Sequence, residues 1–424
     1  MTAARDNGHA AQVVEAPPAT QQRAPTVEER RQTIRDVSAL LDQRHDREGN
    51  PTGPRRTLLN LDRIVKRDAW FRRRLAYNGL SEVVEWQGAR MRDEDVTRIR
   101  LAIARDYGVE YGAESTQQVL TETARQLTYH PVVRYLRGLL WDEEPRIDRF
   151  LVDYLGVEDN PLHRAMSRRW FVSCCARAFG KGEKPVKVDT VLILAGPQGA
   201  RKSTAFRVLA GDDWFSDTAL DIRNKDAYLA IRGVWIYELA ELAATRPRDA
   251  ESVKAFLSAP TDRYRPPYGR NVVESHRQCV FVGTTNEGTF LSDPTGARRF
   301  WPVSVGTIDL DRIRADRDML WAEAVAAYAA GEVWWLDREQ DAALAQEQEQ
   351  YEQEDPWTPA IREWLTSQTG GVTVSGVLEH AVSMDVDRFG KQHQMRVSGI
   401  LGRLGLTRKR VRVHGRREYR WVSE

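Results

Sequence analysis

Asp189-Thr190-Val191-Leu192-Ile193-Leu194-Ala195 runs into Gly196-Pro197-Gln198-Gly199-Ala200-Arg201-Lys202-Ser203-Thr204, and then into Ala205-Phe206-Arg207-Val208-Leu209. The first seven residues are aliphatic and β-branched with little alternation, the pattern of a strand buried on both faces. The last five open a helix. A glycine-bearing loop between a buried strand and a helix start is the context a phosphate loop needs. Glycines let the backbone close around phosphate oxygens, while inward N–H groups and the helix N-terminus supply positive potential. Lys202 is placed to reach the β and γ phosphates, and Ser203 to offer its hydroxyl to Mg²⁺. Gly196, Pro197, Gln198, Gly199, Ala200, Arg201, Lys202, Ser203 and Thr204 are therefore candidate nucleotide-binding residues, with ATP and Mg²⁺ as the expected cofactors. The competing reading is an ordinary glycine-rich turn. One position departs from the consensus: Arg201 stands where glycine normally precedes the lysine. Its side chain either points outward, adds charge to the phosphate site, or weakens nucleotide binding.

Two more short apolar runs follow, Gly233–Tyr237 and Cys279–Thr285, with helical segments between. Strand and helix in alternation predict a parallel α/β sheet. Glu238 follows the first run, and Glu241 lies three residues on. One carboxylate near a strand end can hold Mg²⁺ through water, and another can orient an attacking water. Glu238 is the better candidate and joins Ser203 as a metal residue, whereas Glu241 could equally be a solvated helix position. The second run ends in Thr284-Thr285-Asn286, where Asn286 can sense the γ phosphate or simply cap a turn. Arg298 and Arg299, in Gly296-Ala297-Arg298-Arg299-Phe300-Trp301-Pro302, suit an arginine finger that stabilises charge on the transferred phosphoryl group. The alternative is a surface arginine pair.

Composition places these motifs in a chain of several parts. The 424 residues are 41 % apolar and 29 % charged, with a net charge of +2. Attraction to nucleic acid must then come from local patches. Residues 1–55 carry few large apolar side chains and read as a disordered tail, with a helix over Val27–Gln43 as an option. Residues 56–180 read as a helical N-terminal domain, 181–337 as the ATPase core, 338–355 as a linker helix, and 356–424 as a basic module. No run approaches the roughly 18 apolar residues of a spanning helix, and no charged-then-apolar leader is present, so no membrane association and a cytoplasmic location are expected. Three cysteines form no disulfide framework or metal spacing. No primase constellation is found in residues 1–180.

In the last module, Ile361, Trp364 and Leu365, then Thr373–Leu378, then Met395–Leu404 read as three helices, and Gly405 ends the third. Thr407–Val413 and Arg417–Val422 alternate like a hairpin. Three helices and a hairpin predict a winged-helix-like module. Arg408, Lys409, Arg410, Arg412, Arg416 and Arg417, together with Arg420, would meet duplex phosphates from its wing.

The ordered set of motifs resembles the virulence-associated E family. The resemblance rests on the loop 196–204, Trp214-Phe215-Ser216-Asp217, Lys225-Asp226-Ala227-Tyr228, Glu238-Leu239-Ala240-Glu241-Leu242 and Val253–Ser258. It extends through Asp262–Arg270, Gly283-Thr284-Thr285-Asn286 and Gly296–Val303, with His130-Pro131-Val132 and Leu140-Trp141-Asp142 upstream. Arg201 is a departure here too. The family resembles superfamily 3 helicases of phages, prophages and phage satellites. It implies an AAA+-like P-loop NTPase core of that helicase type, assembling as a homo-oligomeric ring with the arginine finger given to a neighbouring subunit. It also implies a hairpin between the second and third motifs that projects into the pore. That segment holds Lys254, Arg263, Arg265, Arg270, His276 and Arg277 with Tyr264 and Tyr268, and cations with stacking aromatics suit single-stranded DNA. The expected function is an ATP-dependent DNA motor, a replicative helicase or initiator of a mobile element. The alternatives are a catalytically weak loader or a defence or regulatory ATPase of the same family.

Overall fold

The computed structural model describes residues 25–180, 184–222, 224, 226–240, 250–265, 272–286, 297–351, 355–368, 370–413 and 416–423. Thr26 caps the helix Val27–Ser38 through a reciprocal box with Glu29. A hairpin follows, β1 (Gln43–His45) with β2 (Pro51–Pro54). The helix allowed over Val27–Gln43 is present as Val27–Ser38, and the disordered-tail expectation is corrected for residues 25–55, while residues 1–24 lie outside the described set. Ordering comes from tertiary partners: Val37 and Leu41 are buried, and Arg30 bridges Asp68 and Asp106.

Residues 56–180 are rich in helix, as expected, including Asp93–Tyr107, Ala113–Arg125 and Pro161–Phe179. They also hold a small sheet that the sequence did not announce. Its strands are β3 (Leu75–Asn78), β4 (Val83–Trp86), β5 (Ala89–Arg90) and β6 (Thr128–Tyr129), in the order β5-β4-β3-β6. Strands of two to four residues are too short to display a period-2 pattern.

The central sheet contains β7 (Val191–Ala195), β8 (Phe215–Ser216), β9 (Ile236–Ala240), β12 (Val280–Thr285) and β13 (Phe300–Ser304). Its order is β13-β7-β12-β9-β8, and every pair is parallel. All five residues of β7 are buried. Leu192 and Leu194 face one core with Trp170, Phe206, Trp235 and Trp321, whereas Val191 and Ile193 face another with Tyr237, Phe256 and Phe281. Helices therefore cover both faces, which is why β7 reads as an unbroken apolar run. Between β9 and β12 stands an antiparallel hairpin, β10 (Thr261–Tyr264) with β11 (Val273–His276). Beyond β13, the chain presses against the end of helix Phe150–Leu155. A Cβ added at Gly156 would lie 2.9 Å from the Thr307 nitrogen, and one at Gly306 would lie 2.8 Å from the Gly156 carbonyl oxygen.

The segment 338–355, expected as an exposed linker helix, forms the helix Arg338–Glu349 but is packed. Leu344 is fully buried, and Gln348 donates to the Phe300 carbonyl at 2.6 Å. The last module has its own core of Ile361, Val372, Leu378, Val397, Ile400 and Leu401. Helix Thr358–Thr366, a short turn with a π-helical stretch Val377–Ala381, and helix Lys391–Arg403 precede an antiparallel pair, β14 (Leu406–Val413) and β15 (Arg416–Ser423). A bridge from Val372 to Trp421 fastens the pair to the helices.

Candidate functional site

From β7 the chain crosses to the far edge at β8, returns through β9 and β12, and finally places β13 on the other side of β7. In open α/β sheets a reversal of this kind marks the carboxyl ends of the strands as the crevice where ligands bind. The loop 196–204 lies there. Gly196 donates to the Thr285 carbonyl at 3.2 Å, which stitches the loop to β12. A Cβ at Gly196 would come 2.8 Å from a Val305 methyl carbon, so the glycine answers a close approach.

Lys202 opens the helix Lys202–Ala210 and is only 6 % exposed. Its ammonium donates to the carbonyls of Gly196 and Pro197, both at 2.8 Å, and to Asn286 Oδ1 at 2.9 Å. An ammonium has three N–H donors, so this set saturates it. Burial lowers the Lys202 pKa, and nearby Glu238 opposes that shift. Ser203 Oγ donates to Glu238 Oε1 at 2.8 Å, and Thr284 Oγ1 donates to the same oxygen at 2.5 Å. Glu238 is 2 % exposed, and its other oxygen, Oε2, is buried without a hydrogen-bond partner. A bare carboxylate oxygen beside a serine hydroxyl is an oxygen donor set that fits hydrated Mg²⁺, while the neighbouring ammonium suits a phosphate.

The expected residues thus converge from three elements, the loop, β9 and β12. Glu238 sits mid-strand in β9, opposite Val282, rather than at the strand end. Sequence reading missed the role of Thr284, because its hydrogen bond to Glu238 depends on β9 and β12 being neighbours. Glu241 lies outside the described residues. Arg201 has φ 63° and ψ 26°, the left-handed conformation that favours glycine, and its side chain is exposed.

The two finger candidates separate. Arg299 is engaged within its own chain, donating to Ser258 Oγ at 2.9 Å and lying 3.6 Å from Asp189. Arg298 is exposed.

In the hairpin, Arg265 and His276 are exposed, consistent with a surface role. Arg263 is exposed and pairs with Glu274 at 2.8 Å across the strands. Lys254 requires a correction: it is 6 % exposed in the helix Ala250–Ser258, so its ammonium does not face DNA. Arg277 is likewise internal, paired with Asp262 at 2.5 Å beneath the hairpin. Tyr268 and Arg270 lie outside the described residues. On the last hairpin, Arg408, Lys409 and Arg410 are exposed, with Arg408 4.2 Å above the Tyr419 ring. Arg412, Arg416 and Arg417 belong to β14 and β15, and their side chains lie outside the described set. Arg420 is tied to Glu418 at 2.5 Å and to the Gly371 carbonyl at 3.0 Å.

Residues 136–353, a little over half of the chain, match the family described as the virulence-associated protein E-like domain. The chain belongs to this family. No curated protein matches this family member. Among solved structures, an apo structure of the NrS-1 C-terminal region is 12 % identical, covering 82 % of this chain and 95 % of its own, with a TM-score of 0.41. A second form of that region is 13 % identical with the same coverage and a TM-score of 0.40. The family match spans the whole central sheet and its crevice, but not the small N-terminal sheet or the last module. No helix among the described residues is long and apolar enough to cross a membrane.

Proposed function

We propose that this protein is a P-loop ATPase of the superfamily 3 helicase type that moves on DNA as a ring in the replication of a mobile element, in the cytoplasm. The observation that carries the reading is the meeting of Lys202, Ser203, Glu238 and Asn286 at the crevice, with Glu238 Oε2 left bare. Ser203 and Glu238 would hold Mg²⁺, which supplies charge neutralisation on the phosphates of ATP. Lys202 reaches a phosphate by exchanging one of its three present acceptors, and Asn286 is the acceptor that can follow the γ phosphate. Glu238 Oε2 would accept a hydrogen bond from a water of the hydrated Mg²⁺. The core residues hold the nucleotide, and exposed cations on the pore and terminal hairpins hold single-stranded and duplex DNA respectively.

ATP turnover measured with and without single-stranded DNA, alongside particle mass, tests this. Expected are DNA-stimulated hydrolysis in a ring-sized particle, and a loss of at least about 100-fold in Lys202→Ala, the scale of removing one preorganised charge-stabilising donor. Undiminished turnover in Lys202→Ala would sink the assignment. A second reading, a loader that binds nucleotide but turns it over weakly, draws on Arg201 replacing glycine in the loop. Stable ATP binding with little hydrolysis would select it.

A further inference from the structure

We infer that Thr284 is a positioning residue for Glu238, fixing which carboxylate oxygen faces the nucleotide's metal ion; this rests on the ATPase reading above. The carboxyl torsion of a glutamate is broad and nearly two-fold, so rotamer preference alone does not decide which oxygen points where. Here two hydroxyls decide it. Ser203 at 2.8 Å and Thr284 at 2.5 Å both donate to Oε1, and Oε2 is left buried with no donor. A buried carboxylate oxygen without a donor is costly, and an arriving hydrated cation relieves that cost.

The two donors are not equivalent. Ser203 is the second residue of the helix Lys202–Ala210, directly after the glycine turn, and turns an oxygen lone pair to the metal when it is a ligand. Thr284 belongs to β12, which is paired on both sides, with Leu194 of β7 and Ala240 of β9 opposite Thr284. Its hydroxyl is therefore held by the sheet and not by the loop–helix junction that carries Ser203. Thr284 keeps Glu238 oriented while Ser203 rearranges. It touches neither substrate nor metal, so its effect passes entirely through Glu238.

The test compares Thr284→Val, which keeps shape and removes the hydroxyl, with Thr284→Ser, which keeps the hydroxyl. The first readout is the Mg²⁺ concentration giving half-maximal heat stabilisation in the presence of a non-hydrolysable ATP analogue. The second is ATP turnover split into kcat and KM. Thr284→Val is expected to raise the Mg²⁺ midpoint and lower kcat by about tenfold each, the size of one missing hydrogen bond to a charged acceptor, with KM for ATP little changed. Thr284→Ser should restore both. Should Thr284→Val not fold, Thr284→Ala removes the hydroxyl without added bulk and carries the same comparison. A Mg²⁺ midpoint in the valine or alanine variant equal to wild type, or no rescue by serine, overturns the inference while leaving the ATPase reading intact. If the wild-type protein shows no stabilisation by Mg²⁺ and the analogue at all, the ATPase reading falls and this inference falls with it.

Discussion

The crevice at the central sheet and the terminal hairpin β14–β15 are both polar, yet they are built on opposite plans. In the crevice, Lys202, Ser203, Glu238, Thr284 and Asn286 are bonded to one another or to the loop backbone, and the one conspicuous gap is a single buried oxygen. On the hairpin, Arg408, Lys409 and Arg410 stand in solvent, and Arg408 rests on an exposed tyrosine. A buried network acts through fixed geometry in low dielectric, so one atom can matter greatly. Exposed cations act through their summed field, so each matters a little and salt weakens all of them.

The largest effect that sharpens this contrast concerns Arg298. Arg298→Ala should lower turnover by at least about 100-fold if it completes a neighbour's site, since such fingers are worth on the order of a thousandfold or more. Arg299→Ala should act less on turnover and more on folding, because Arg299 is bonded to Ser258 and close to Asp189. Mixing Arg298→Ala with Lys202→Ala subunits should recover part of the activity. Recovery with Arg299→Ala subunits instead would move the role to Arg299.

Removing residues 356–424 should leave basal hydrolysis in place and flatten the salt dependence of duplex binding, by roughly 0.9 in the logarithmic slope for each phosphate no longer neutralised. Fluorescence anisotropy at several salt concentrations reads this directly. An unchanged slope would show that the terminal hairpin is not a duplex-binding surface.

A smaller effect is expected at Arg201. A side chain in the left-handed region costs on the order of 1 kcal/mol, partly offset by the greater unfolded freedom of glycine. Arg201→Gly should therefore raise the melting temperature slightly and hold or raise turnover. A fall in turnover would mean that Arg201 touches the nucleotide.

The contrast also governs what could be read without coordinates. The strand–loop–helix at 189–209 and the parallel sheet were legible, since each is announced by local pattern, whereas the hairpin within 254–277 was expected only from the family resemblance. The exposed arginines of the terminal hairpin were legible by composition. Strands β3 to β6 were not, because two to four residues carry no period. Nor was the packing of residues 27–54 beyond the optional helix at Val27, since it depends on distant Asp68 and Asp106. Lys254 looked like one more pore cation because sequence does not reveal which side of a helix faces inward. Thr284 was invisible for a related reason, that its partner Glu238 is 46 positions away.

The mildest expected effect tests the junction between the family-matched region and the N-terminal sheet. Val133 N–H donates to His130 Nδ1 at 3.2 Å, which fixes the neutral ring as the tautomer whose Nε2–H donates to Gln278 Oε1 at 2.6 Å. Gln278 in turn donates to the Gly79 carbonyl at 2.9 Å. Burial holds the His130 pKa below its ordinary value of 6.5 despite that hydrogen bond. The unfolded chain then binds a proton more readily than the folded one, so stability is full above about 6.5 and declines as pH falls below it. His130→Asn should lessen that acid-side decline in melts recorded across pH 5 to 8. An unchanged profile would assign the loss to other groups.

The facing glycines Gly156 and Gly306 narrow the future of this chain more than any charged residue does. A Cβ on Gly156 would meet the Thr307 nitrogen and the Gly306 Cα, and one on Gly306 would meet the Gly156 carbonyl, all of them backbone atoms, so changing one glycine does not clear the way for the other. A random library should return both positions as glycine even when only folding is selected. Mutational tolerance, plotted along the sequence, should therefore dip sharply at two widely separated sites that take no part in the proposed chemistry.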